Sequence, residues 1–147
     1  MMMAGPIHIL LVEDNPADAR LLREAVAEAA AGATVSVVGD GVEALTFLRR
    51  EGAHAAAPRP ALILLDLNLP RMNGREVLAA VKGDPALRRI PVVVLSTSDA
   101  PADIAAAYDL HANAYVTKAL DLEPFFAAVR ALDAFWFGIA HLPPLSA

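Results

Sequence analysis

At 147 residues, the chain suits one domain built on one hydrophobic core and leaves little room for a second. It is 56% hydrophobic with no cysteine and a mean hydropathy of +0.46, yet no stretch approaches the ~20 apolar residues of a spanning helix and the start has no signal-peptide character. These features argue against a membrane protein, a disulfide framework or a thiolate metal site, and they predict a cytoplasmic location. A net charge of −5 without any lysine or arginine stripe argues against direct nucleic-acid binding.

Two kinds of segment alternate along the chain. The first strand is predicted over Ile7–Val12 and runs directly into Glu13-Asp14. Pro16–Ala31 then has helical spacing, with Leu21, Leu22, Ala25, Val26 and Ala29 on one stripe and Asp18 off it. A second strand is read over Thr34–Val38. It is followed by a helix over Gly41–Arg50, for which Asp40 is the predicted N-cap and Glu43 completes a capping-box pattern. Gly52–Pro60 reads as a loop in which His54 is solvated. The third strand, Ala61–Leu65, is apolar throughout and ends in Asp66-Leu67-Asn68. After the turn signal Pro70–Gly74 comes a helix over Gly74–Lys82. The fourth strand, Pro91–Leu95, ends in Ser96-Thr97 and leads to a helix over Pro101–Leu110. The fifth, Ala114–Thr117, ends at Lys118 and precedes a helix over Leu122–Ile139.

Five strands alternating with five helices predict an α/β fold. Its expected form is a doubly wound, flavodoxin-like parallel sheet of order 2-1-3-4-5 with helices on both faces and an extended C-terminal helix and tail. Sites in such sheets form at the carboxyl ends of the strands, and this order makes strands one and three neighbours. It therefore gathers Glu13, Asp14 and Asp66, with Ser96 and Lys118 on the other side of Asp66. An acid, serine or lysine after a single strand is usually a cap or a solvated residue. The informative feature is that acid pair, acid, hydroxyl and lysine end successive sites of one sheet.

Carboxylates this close repel unless a cation neutralises them, and Mg²⁺ is the natural one. Asp14 and Asp66 are read as direct ligands, Glu13 as reaching the metal through water, and Asn68 as offering its backbone carbonyl. A carboxylate at the centre of this set can attack phosphorus, with Lys118 pairing one phosphoryl oxygen and Ser96 bonding another.

The sequence resembles the response-regulator receiver domains of bacterial two-component systems. The matching stretches are Ile9–Asn15, Asp40–Leu45, Leu65–Gly74, Pro91–Ser96 and Ala114–Lys118. The resemblance implies Asp66 as phosphoacceptor, Glu13 and Asp14 as the metal-binding acid pair, Lys118 as the phosphate-pairing lysine and Ser96 as the switch hydroxyl. It alone implies that Tyr115 is the aromatic that turns inward when Ser96 moves.

Two departures from the family pattern lie at the site. Ala119 stands where receivers usually have proline, which predicts a reshaped loop after Lys118. Thr97 is larger than the usual residue after the switch hydroxyl. It predicts a phosphorylated state that persists, an expectation that phosphate loss within seconds would contradict.

The third departure is the C-terminus. A receiver domain is expected over residues 7–134, followed at 135–147 by an aromatic extension read as an interaction segment. The helical wheel puts Leu122, Phe125, Val129, Leu132, Trp136 and Ile139 on the core stripe. Phe126, Phe135, Trp136 and Phe137 are the predicted interface residues, in a homodimer or against another partner. Together with the Gly52–Pro60 loop and Ser96–Asp99, this tail is similar to the stand-alone regulators that partner bacterial phytochrome histidine kinases. The expected function is thus that of a phosphoacceptor switch, not an enzyme, paired with a sensor histidine kinase. The alternatives are a phosphate-independent interaction module and a phosphate sink for the kinase. A haloacid-dehalogenase-type phosphatase is argued against by Asn68, since that chemistry wants an acid two residues after the nucleophile. No GxxxxGK[ST] or GxGxxG pattern occurs.

Overall fold

The computed structural model describes residues 7–29, 33–118, 122–139 and 141–144. The elements are β1 His8–Val12, α1 Pro16–Ala29, β2 Thr34–Val38, α2 Gly41–Arg49, β3 Leu62–Asp66, α3 Gly74–Gly83, β4 Val92–Ser96, α4 Pro101–Asp109, β5 Ala114–Thr117 and α5 Leu122–Asp133. The strands form one parallel sheet of order β2-β1-β3-β4-β5, as the sequence predicts.

The apolar runs explain the layering. β3 and β4 are buried over their whole length, whereas the edge strand β5 is only half-buried or exposed. Alternate strand residues point to opposite faces. Leu10, Val12, Ile63, Leu65, Val92 and Val94 pack with Phe47 of α2, Leu78 and Val81 of α3 and Ala107 of α4. Ile9, Leu11, Leu62, Leu64, Val93 and Leu95 pack with Leu22, Ala25 and Val26 of α1, with Leu132 and Trp136 against the margin.

Local chemistry refines several boundaries. Asn15 caps α1, its Oδ1 accepting from the backbone N–H groups of Ala17 (2.9 Å) and Asp18 (3.1 Å). The predicted capping box at Asp40 is half made. Asp40 accepts from the Glu43 N–H at 2.8 Å, but the Glu43 carboxylate faces His54 at 3.6 Å. His54 is accordingly not a solvated loop residue. It ends a short 3-10 turn, Gly52–His54, with its ring 5.2 Å from that of Phe47. A complete capping box instead opens α3, between Asn73 and Glu76.

At the amino end of the sheet, Lys82 in the last turn of α3 donates to the carbonyls of Arg88 (3.0 Å) and Ile90 (2.9 Å), closing the turn into β4.

The last helix is not one continuous α-helix. α5 stops at Asp133 and a π-helical segment, Ala134–Ile139, continues from it. There Trp136 packs against the core margin while Phe135 is exposed, the two rings meeting edge to face at 5.3 Å. Further on, Pro143 and Pro144 line a small crevice with Pro60, Ala61 and Pro91, so the described part of the tail returns to this chain's own sheet. The side chains of Phe126 and Phe137 lie outside the described residues, as does Ala119 with its predicted loop.

Candidate functional site

Among the described residues, the buried polar or charged ones are Glu13, Asp66 and Ser96, at 3%, 6% and 3% exposure. All three stand at carboxyl ends of strands. β1 delivers Glu13, whose N–H continues the sheet to the Val38 carbonyl at 3.0 Å. β3 ends on Asp66 and β4 on Ser96, and the register sets Asp66 beside Leu95 and Ser96 beside Thr117. Lys118 follows β5, its N–H donating to the Ser96 carbonyl at 2.7 Å.

Glycine makes the close approach beneath Asp66. A Cβ on Gly74 would lie 2.4 Å from the Asp66 carbonyl oxygen and 2.5 Å from Leu67 Cα, so only glycine lets α3 begin there.

The acids converge as predicted. Glu13, Asp14 and Asp66 each present a carboxylate oxygen within 4.8 Å of the others, and Asp14 is exposed at the mouth. Asn68 stands beside them, its N–H donating to Asp66 Oδ1 at 2.9 Å. Oxygen ligands in this number, with one side open to water, fit a hard divalent cation.

Lys118 holds more partners than the sequence predicts. Its Nζ donates to Glu13, to Asp66 Oδ2 at 2.9 Å and to Asp18 Oδ2 at 3.3 Å. Burial opposes its charge, but the hydrogen bonds and charges of Glu13 and Asp66 outweigh that and raise its pKa above the ordinary lysine value. For Glu13 the balance is reversed. Burial first, then the neighbouring Asp66, push its pKa from 4.5 up to about 7 despite Lys118. Three carboxylates on one ammonium, with Asp14 beside two of them, leave negative charge over, which a divalent cation would neutralise.

Ser96 and Tyr115 meet through Ser98. Ser96 Oγ accepts the Ser98 N–H at 3.2 Å, and the Tyr115 hydroxyl donates to the Ser98 carbonyl at 2.8 Å. Beside them runs a cleft of about 310 Å³ between the starts of α3 and α4, lined by Asn68, Asn73, Arg75, Ser96, Ser98 and Asp103. Sequence reasoning missed Asp18, Arg75, Ser98 and Asp103. Only Asp18 carried a signal, as an acid in the first turn of a helix that begins at the site. Arg71 was missed also. Its left-handed backbone (φ 62°) brings its guanidinium to Asp40 at 2.9 Å.

A buried strand-end aspartate among two further acids, a hydroxyl and a lysine defines a class of protein. Residues 9–130 match the response regulator receiver domain family, and the chain belongs to it. It is 46% identical over 138 residues to the response regulator Rcp1 of Synechocystis, covering 94% of both chains. Among solved structures it is similar to the phosphorylated cyanobacterial phytochrome response regulator RcpA, at 53% identity and a TM-score of 0.91 over 96% of this chain and 100% of that one. It is also similar to the Mn²⁺-bound form of Rcp1, at 46% identity and a TM-score of 0.89 over 95% and 100%. The bacteriophytochrome response regulator AtBRR follows the same fold, at 41% identity and a TM-score of 0.75 over 94% and 100%. Among the described residues, no helix is long and apolar enough to cross a membrane.

Proposed function

We propose that this chain is a single-domain, cytoplasmic response regulator that accepts a phosphoryl group on Asp66 from a sensor histidine kinase of the bacterial phytochrome type. The observation that carries this reading is the setting of Asp66, a buried carboxylate with Lys118 Nζ at 2.9 Å and two further acids in reach of a shared cation. The phytochrome partner is supported by the relatives' descriptions.

In the transfer, an Asp66 carboxylate oxygen attacks phosphorus. The Asp66 O–P bond forms as the P–N bond to the kinase histidine breaks, and the electron pair stays on the imidazole. Mg²⁺, held by Asp14, Asp66 and the Asn68 carbonyl with Glu13 behind, would neutralise charge on the phosphoryl oxygens. Lys118 gives up part of its carboxylate contact to pair one of those oxygens. The Ser96 hydroxyl donates to another, drawing the β4–α4 loop with it and freeing Tyr115 to turn inward. The product is a signalling state, so the chain acts as a phosphoacceptor and turns over no separate substrate.

Incubation with Mg²⁺ and a small phosphodonor, followed by intact mass, tests this. Wild type should gain one phosphoryl group and Asp66→Asn none, and equal behaviour of the two would refute the assignment.

For assembly, Phe135 is exposed in the segment that follows α5, and it supports a homodimer through the last helix. Light scattering should show Phe135→Ala shifting mass toward the monomer. An unchanged mass would direct that face to the kinase instead.

A further inference from the structure

Ser98 joins more groups than any other residue of the β4–α4 loop. Besides its contacts to Ser96 and Tyr115, its Oγ donates to Asp103 Oδ2 at 2.5 Å and accepts the Ala100 N–H at 3.2 Å. The other Asp103 oxygen, Oδ1, receives Arg75 Nη2 at 2.7 Å. Ser98 and Arg75 together hold the Asp103 carboxyl below its usual pKa range.

The two ends of this chain of contacts sit on different walls of the cleft. Arg75 is the second residue of α3 and follows Gly74, which is wedged against the Asp66 carbonyl. Asp103 lies in the first turn of α4 and is hydrogen-bonded to the loop that carries Ser98. The pair therefore ties the α4 side of the cleft to the α3 side. For Ser96 to reach a phosphoryl oxygen, Ser98 must shift with it, and that displacement pulls Asp103 against Arg75.

We propose that the Arg75–Asp103 ion pair is a latch that holds the β4–α4 loop, and through Ser98 the Ser96 hydroxyl, in the resting position, so slowing phosphoryl uptake at Asp66. Both residues are positioning residues, and the inference rests on Asp66 being the phosphoacceptor. The pair is half-exposed, with side chains 48% and 36% accessible, so its hold is modest. Its loss should shift the resting population about two- to fivefold.

The test measures the rate of phosphoryl uptake from acetyl phosphate with Mg²⁺, by intact mass, for wild type, Arg75→Gln, Asp103→Asn and the double variant. Each single variant should take up phosphate about two- to fivefold faster, and the double no faster than either, because one latch is removed only once. Arg75→Lys should stay near wild type. Hydrogen exchange of the unphosphorylated protein should quicken at residues 98–100 in both single variants while β4 stays protected.

Opposite signs, with Arg75→Gln slower and Asp103→Asn faster, would overturn the latch and make Arg75 a cation for the donor. Unchanged rates in all variants, with normal uptake by wild type, would overturn the latch alone. No uptake by wild type would overturn the Asp66 reading and the latch with it.

Discussion

Two lysines, one half-buried and one largely buried, stand at opposite ends of one sheet and have been given opposite surroundings. Lys82, at the amino end, meets carbonyls of Arg88 and Ile90, and burial lowers its pKa. Lys118, at the carboxyl end, meets the carboxylates of Glu13, Asp18 and Asp66, and its pKa rises. The first arrangement is complete: dipoles satisfy one charge and the turn is closed. The second is not, because more negative charge surrounds the ammonium than it can balance. The amino end is finished structure, while the carboxyl end holds a charge surplus that a cation or a phosphoryl group can rearrange.

The sharpest way to break this contrast is to remove each lysine. Lys118→Met should cost about 3–5 kcal/mol at pH 8 in a chelator, since it leaves buried carboxylates without a partner. Urea unfolding would measure it, and added Mg²⁺ should recover part of the loss.

The next effect is that of pH on Glu13. Its pKa, raised from 4.5 to about 7, means that ionising it is harder in the folded chain than in the unfolded one. Stability is therefore full below about pH 4.5 and declines as pH rises through about 7, by on the order of 3 kcal/mol. Unfolding at pH 5 and pH 8 in a chelator should show this decline, and saturating Mg²⁺, which binds only the folded site, should reduce it. A Glu13→Gln variant should lose the slope.

The smallest effect is expected for Lys82→Met, about 1 kcal/mol for carbonyl contacts that water can partly replace. If Lys82→Met costs as much as Lys118→Met, the two ends are not different in kind.

Much of this was legible in the sequence, for a physical reason. Strands covered on both faces must be apolar, so Leu62–Leu65 and Val92–Leu95 stand out. The first polar residue after each then marks where the sheet ends and a site begins. Asp66 and Ser96 are found that way, and Glu13 likewise after Val12.

Contacts between helix surfaces leave no such mark. Arg75 and Asp103 are 28 residues apart, and each looks like any charged residue on a helix. Asp18 gave only a faint signal, because its partner Lys118 is 100 residues away. The change from α5 to a π-helical segment at Ala134 was hidden too, since the apolar spacing of Leu132 and Trp136 suits a continuous helix as well. His54 appeared solvated because the ring that shelters it, Phe47, belongs to the preceding helix.

Gly74 gives the site a mechanical direction. With no room for even one carbon between α3 and the Asp66 carbonyl, the wall on that side cannot be compressed. A displacement beginning at Asp66 would meet a stop on that flank, whereas the other flank is closed by the side-chain contacts of Ser98, Asp103 and Arg75. If Asp66 takes a phosphoryl group, the proposed stroke would run as in a cylinder closed at one end, and its reader would be expected on the α4 and β5 side.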